Sequence, residues 1–242
     1  MLKKRVLIAC ALLLTATGVY AEDDLATVEQ DCLDAWNAEE YIKVGFHCKA
    51  GVKRDGPISQ YVWGLSKRKK NKKSRSNREA HELLEKSAAQ GYAPASTAIG
   101  RLYQAGQGVE RDFCKAEAYF GEAIKAGDLP AHRLLGESLL AGLCNDVQDY
   151  EAALPFLMAC ANYDAETRGL IGVTVLAASS DYVEGRSWLK AATLGGSTDE
   201  NIVGALGMLD EVLKPEDMER SEARVEAILA DVAANPVDCA GP

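Results

Sequence analysis

Four glycines, Gly64, Gly100, Gly136 and Gly172, stand 36 residues apart from one to the next. Other marks share the spacing: Gly91 with Gly127, Pro94 with Pro130, and Ala105-Gly106 with Ala141-Gly142. A fixed period of this length identifies a stack of similar units, none of which can bury its apolar face alone. Glycine at one place in each unit implies that one helix crosses another there at close range. The clearest copy is YAPASTAIGRLYQAGQGVERDFCKAEAYFGEAIKAG, residues 92–127. It reads as two helices, about Pro94–Gln104 and Asp112–Ala126, around a glycine loop. In the second, Phe113, Ala116, Phe120, Ala123 and Ile124 form an apolar stripe, and Asp112 is positioned as its N-cap.

Alignment on these marks gives five units: 57–91, 92–127, 128–164, 165–195 with a shortened inner loop, and 196–235, where the pattern is weakest and reads as a C-terminal cap. The stripe of the fourth unit includes Trp188, Leu189, Ala191 and Ala192. Residues 22–56 read as an N-terminal helical cap, with Leu25, Val28, Cys32, Ala35 and Trp36 on one stripe and a second short apolar pattern at Tyr41–Phe46. Residues 236–242 are a tail. No run alternates at period two, so the expected class is all-α with almost no sheet.

The units resemble the Sel-one-like repeat (SLR), a relative of the tetratricopeptide repeat. Unit two supplies Ile99, Gly100, Tyr103, Gly106, Gly108, Val109, Asp112, Lys115, Ala116, Tyr119 and Gly127 of that pattern. Unit one supplies Trp63, Gly64 and the ending EKSAAQG, and unit four supplies WLKAATLGG. The resemblance covers residues 57–196 and, more weakly, 197–235. Cys144 departs from it, standing where Gly108 would be. The resemblance implies a right-handed α/α solenoid of about five helix-turn-helix repeats. It also implies roles in complex assembly, envelope signalling, host interaction, toxin immunity or a flagellar motor ring. Some cysteine-rich members of the family have been proposed to bind or hydrolyse β-lactams.

Residues 1–21 carry Lys3, Lys4 and Arg5, an apolar core from Val6 to Leu14, and Val19-Tyr20-Ala21 before an acidic segment. This is the layout of a secretory signal peptide cleaved after Ala21. An uncleaved anchor and lipidation at Cys10 are the competing readings. Cleavage takes away three bases and no acid, moving the net charge from −9 to −12. No later apolar run has transmembrane length. Six cysteines then remain, an even number in an exported chain, with 15 connectivities open to them. Register favours Cys32–Cys48, closing the cap, and Cys114–Cys144, joining stacked inter-helix loops. Cys160, late in unit three, and Cys239, in the tail, form the third expected pair. No CxxC pair suggests redox or zinc chemistry.

Residues 67–78 read KRKKNKKSRSNR. Lys67, Arg68, Lys69, Lys70, Lys72, Lys73, Arg75 and Arg78 stand there without one acid, and the rest of the mature chain carries −20. The run occupies the inter-helix loop of unit one, where charge this dense is expected to stay extended and mobile. One reading is a solvated loop. The other is a partner-binding handle for anionic lipid, polysaccharide or an acidic protein surface. No aromatics are interleaved to stack bases, and the chain is acidic, so nucleic acid is not the expected partner.

No catalytic constellation emerges, and no metal or cofactor site. His47, His81 and His132 lie outside any HExxH motif, and Gly106-Gln107-Gly108 has no phosphate-loop context. No serine–lysine arrangement supports β-lactam chemistry. The expected function is an exported, non-enzymatic scaffold for protein–protein interaction in the periplasm or envelope, acting as adaptor, regulator or immunity-type inhibitor. Its acidity would suit a basic partner. The alternatives are an envelope tether working through the basic run and a β-lactam-binding or hydrolysing enzyme.

Overall fold

Short polar side chains set where the helices begin. In the computed structural model, which describes residues 24–70 and 74–239, Asp24, Asp112, Asp149, Asp164, Asp181 and Asp199 each accept a first-turn backbone N–H, the closest at 2.7–3.0 Å. Prolines stand at the opening of four other helices, where the missing N–H costs nothing. Gly106 and Gly142 end two helices in the left-handed conformation, at φ +65° and +61°, and Ser180 takes the same role at φ +55°.

Twelve helices and no strand result among the described residues. They are α1 (Leu25–Asn37), α2 (Tyr41–Lys53), α3 (Pro57–Lys70), α4 (Ser74–Ala89), α5 (Ala93–Ala105), α6 (Phe113–Lys125), α7 (Leu129–Ala141), α8 (Tyr150–Met158), α9 (Ala165–Ser179), α10 (Tyr182–Leu194), α11 (Glu200–Val212) and α12 (Pro215–Ala234). The pairs α3/α4, α5/α6, α7/α8 and α9/α10 are hairpins, and the second helix of each also packs on the first helix of the next. The chain is therefore an α/α solenoid. None of the described helices is long and apolar enough to cross a membrane. Residues 1–23, with the expected signal peptide and Cys10, lie outside the described residues.

The periodic glycines sit where each hairpin crosses itself. A Cβ on Gly100 would lie 2.5 Å from Phe120 and 3.1 Å from the Ala116 carbonyl oxygen. At Gly136 it would meet Leu157 at 2.8 Å, at Gly172 Leu189 at 2.8 Å, and at Gly64 both Leu84 and the Ala80 carbonyl oxygen at 3.2 Å. Each large side chain is fully buried, and a small residue, Ala80, Ala116, Ala153 or Gly185, stands four positions before it. The second helix thus lays a bulky knob over a notch in the first.

The cap at the N-terminal end is the α1/α2 hairpin, closed by the Cys32–Cys48 disulfide, with Cα atoms 4.8 Å apart. It is fastened to the stack by Glu29. This buried carboxylate accepts the backbone N–H groups of Ile58 (2.7 Å) and Ser59 (3.1 Å) at the start of α3. A negative charge there also complements the helix dipole.

Two expectations are corrected. The basic run is not a loop: α3 continues to Lys70 and α4 begins at Ser74, leaving only 71–73 between them, outside the described residues. Lys, Arg and Ser are compatible with helix, so the flanking helices extend into the run instead of stopping at it. The last stretch also fails to form a hairpin. After Leu213 and Lys214 the chain turns, and α12 packs on α10 instead of on α11. Gly207 of α11 follows Gly172 by nearly one repeat period, yet no atom stands within 4 Å of where a Cβ on it would lie.

The two kinds of glycine predict opposite signs. Gly100→Ala should destabilise the chain by about 1–3 kcal/mol, because Phe120 has nowhere to move. Gly207→Ala in an open helix position should stabilise it by up to about 1 kcal/mol. Chemical denaturation of the two variants checks this, and loss of stability in both would contradict the crossing argument.

Candidate binding surface

The first helices of successive units place three arginines in a diagonal. Arg68 lies near the end of α3, Arg101 in α5 and Arg133 in α7, all half-buried. Burial, and then the charge of Arg101, holds the Arg68 guanidinium below its ordinary pKa. Burial and then Arg133 do the same to Arg101. The cations are therefore near enough to oppose one another along the stack. Arg68 donates from Nη2 to Gln107 Oε1 at 2.9 Å, and its Nε is buried without a hydrogen-bond partner among the described residues. Arg133 pairs with Glu137 and lies over the Tyr163 ring.

Aromatic and acidic groups fill the space beside this diagonal. Tyr61 of α3 meets Tyr92, just before α5, with ring centroids 5.1 Å apart. Burial raises the Tyr61 phenol well above its usual value. Asp128, at the start of α7, accepts a hydrogen bond from the buried Thr97 hydroxyl. Burial raises its carboxyl, with the Thr97 bond and Arg101 acting in the opposite direction. The first helices of units one to three thus carry arginines and tyrosines on a chain whose overall charge is acidic. The three arginines stand 33 and 32 residues apart, not at the 36-residue period, so the glycine register alone does not reveal them.

The basic run divides between the fold and its surface. Lys67 Nζ reaches Glu79 Oε2 at 2.6 Å and lies over the Trp63 ring at 5.6 Å. Arg68 joins the diagonal. Lys69 and Lys70 end α3, Arg75 falls in the first turn of α4, and Arg78 is exposed on α4. Lys72 and Lys73 lie outside the described residues. Lys67 is therefore committed to contacts within the fold, while Arg68 keeps its Nε without a hydrogen-bond partner among the described residues.

The remaining cysteines brace the stack. Cys114 at the start of α6 is bonded to Cys144 in the α7–α8 loop, with Cα atoms 4.5 Å apart, so the inter-helix edge of units two and three is stapled. Cys160, just past α8, is bonded to Cys239, with Cα atoms 6.0 Å apart. His47, His81 and His132 find local partners or neighbours in Asp31, Glu85 with Tyr103, and Phe156. Among the described residues no group of three or more His, Cys, Asp or Glu side chains is arranged to hold a metal.

A polar clamp holds α12 in its unexpected place. Arg186 of α10, 2% exposed, donates to Asp210 Oδ1 (2.7 Å), Ser221 Oγ (2.9 Å) and Glu222 Oε1 (2.8 Å). Arg224 forks onto Glu184 at 2.9–3.2 Å and covers the Trp188 ring, whose Nε1 also donates to Glu184. Ile228, Leu229 and Val232 close the apolar side against Leu157, Ala161, Val175 and Trp188. A cleft of about 200 Å³ remains between α12 and the end of unit three, lined by Met158, Asn162, Trp188, Arg224, Ile228 and Asp231.

No protein-family model matches the chain. Over 88 residues it is 34% identical to Protein sel-1 homolog 2 of Homo sapiens, a stretch that is 36% of this chain and 13% of that protein. The crystal structure of a Sel1 repeat protein from Oxalobacter formigenes superimposes with a TM-score of 0.62, at 20% identity, over 89% of this chain and 92% of that one. A protective antigen present in uropathogenic Escherichia coli strains displaying an SLR fold gives 0.49 at 16% identity, over 80% of this chain and 50% of that one. The chain has the fold of an SLR α/α solenoid, in agreement with its glycine register.

Two substitutions test the surface and its support. Arg186→Ala should cost about 3 kcal/mol in denaturant unfolding and speed hydrogen exchange in α12, because three acceptors lose one shared donor. Asp128 has a raised folded pKa, so its favourable contribution is complete below the ordinary carboxylate range and is lost as pH rises through the folded value. Asp128→Asn keeps an acceptor for Thr97 and should raise the melting temperature at pH 7, the difference closing near about pH 4. Equal melting temperatures across that range would remove the burial argument.

Proposed function

We propose that this chain is an exported scaffold that holds a protein partner against the first-helix face of units one to three. The observation that carries the reading is the Arg68–Arg101–Arg133 diagonal, set beside the half-buried Tyr92, which the buried Tyr61 supports from the core, on a stack whose net charge is otherwise negative. Half-buried arginine and tyrosine are the side chains that dominate protein interfaces, because they bring large, preorganised contact area with directional donors. A solenoid can vary such a face without disturbing the notches that hold it together. SLR solenoids generally serve protein–protein interaction, which agrees with this assignment. The local charge favours a partner segment with carboxylates over the basic partner that the overall acidity suggests.

Export is supported by the layout of residues 1–21 and by three disulfides spread over cap, centre and tail, a usage typical of oxidising compartments. The periplasm or the envelope is the proposed location, and adaptor, regulator or immunity-type inhibitor the proposed role. Tethering to anionic lipid or polysaccharide through residues 67–78 has weaker support, since Lys67 is engaged within the fold.

Affinity capture from the chain's own envelope fraction, read by mass spectrometry, is the test. The oxidised chain without residues 1–21 should retain a discrete partner. Arg68→Ala with Arg101→Ala should lose it, and Arg220→Ala, at an exposed position on α12, should not. Retention of the same partner by the double variant would refute the assignment of this face. Retention lost on neutralising Lys69, Lys70, Lys72 and Lys73 alone would favour the tether.

A further inference from the structure

The turn of α12 onto α10 leaves the stack open at its C-terminal end. In the first four units the notch glycine is covered by Leu84, Phe120, Leu157 or Leu189 from its own hairpin partner. The fifth unit keeps a glycine, Gly207, but its hairpin partner has gone elsewhere. The face so vacated presents Glu200, Val203, Gly204, Gly207, Met208 and Glu211 at helical spacing, all exposed. Met208 is 66% exposed and the neighbouring Val212 72%, and neither Gly204 nor Gly207 has an atom within 4 Å of a Cβ position. α11 carries three acids, Glu200, Asp210 and Glu211, and no base. Asp210 is held by Arg186, so Glu200 and Glu211 supply the charge offered to a partner.

The opposite end of the stack carries the complementary surface. Ile42, 92% exposed, and Phe46, 75% exposed, are the two most exposed large apolar side chains among the described residues. They lie four positions apart on α2, with Gly45 open between them. α2 carries Lys43, Lys49 and Lys53 with no acid, and Arg54 follows directly. Lys43 is paired with Glu40, and Lys49 lies over the Trp63 ring, but both remain exposed along with Lys53. Phe46, Lys49, Lys53 and Arg54 line an open groove of about 640 Å³ on this helix.

We propose that these two ends bind each other between copies of the chain, head to tail. Phe46 and Ile42 of one copy fill the vacant notch at Gly204 and Gly207 of the next, and Lys49 and Lys53 meet Glu200 and Glu211. A large apolar side chain over a glycine notch is the device the fold uses at its internal crossings, and here it is repeated between molecules. The interface joins two different surfaces, so it does not close as a twofold dimer. It continues the solenoid into an open filament, or a ring where the rotation closes. Charge complementarity fixes the direction of addition.

Sedimentation velocity of the oxidised chain without residues 1–21, over a concentration series, tests this. The expected result is a weight-average mass that rises with concentration and falls as salt is added. Lys49→Glu with Lys53→Glu should weaken self-association about tenfold or more, and so should Glu200→Lys with Glu211→Lys. Each of these variants carries like charge at both ends. Mixing the two in equal amounts should restore assembly, because every junction is then complementary again. Gly207→Leu, which fills the notch, should leave a monomer. All five positions are exposed, and unchanged helical circular dichroism keeps folding separate from association. A chain that stays monomeric throughout overturns the proposal and leaves the α11 face to a different occupant. Assembly indifferent to both charge reversals overturns it equally.

Discussion

The close crossing of two helices over a glycine is the contact on which the rest of this structure depends. With no Cβ at Gly64, Gly100, Gly136 or Gly172, each first helix lets a fully buried Leu or Phe of its partner settle against its backbone. The gain is dispersion and apolar burial in a dry, well-filled notch. The cost is a helix-interior glycine, which loses more backbone entropy than alanine would. Repetition of the same trade at one position in each of four hairpins fixes the angle of each, and with it the direction in which the next unit stacks.

A repeated contact needs ends, and the two ends are built from polar chemistry. At the N-terminal end Glu29 lends a carboxylate to the backbone N–H groups that begin α3, and a disulfide closes the α1/α2 hairpin. At the C-terminal end the repeat geometry is abandoned. A guanidinium buried against α11 and α12 makes three hydrogen bonds at once, which compensates its own desolvation and binds both elements to α10. The tail then returns to unit three, where Cys239 is bonded to Cys160 and its carbonyl accepts from Arg133 Nε at 3.5 Å. The far end of the chain is thereby connected to the arginine diagonal, so support and binding surface share residues.

Much of this is legible in the residues themselves. The glycine period locates the four hairpins, and the stripes at Phe120 and at Trp188–Ala192 name core residues. Asp112 announces a helix start, and the shortened fourth loop corresponds to the two-residue link between α9 and α10. The six cysteines are joined in the expected pairs. Residues 67–78 look like a loop only when charge density is weighed above helix propensity, and Lys and Arg are able to continue a helix that is already anchored by packing. Tyr92 and Asp128 occupy the same place in successive units, 36 residues apart, but nothing in their residue types announces the burial of a phenol or a carboxylate there.

The sequence by itself determined the unit: its length, its two helices, the notch between them, and the cysteines that staple one copy to the next. Such features are set by spacing within one period and by residues that act through their own backbone. Only the tertiary structure decided how the stack ends and what its face presents. The choice of α12 between α11 and α10 turns on the position of Arg186 relative to Asp210, Ser221 and Glu222, residues up to 36 positions away. The alignment of Arg68, Arg101 and Arg133 depends on the offset between neighbouring units. Both are properties of how elements meet in space, and a one-dimensional period carries no record of them.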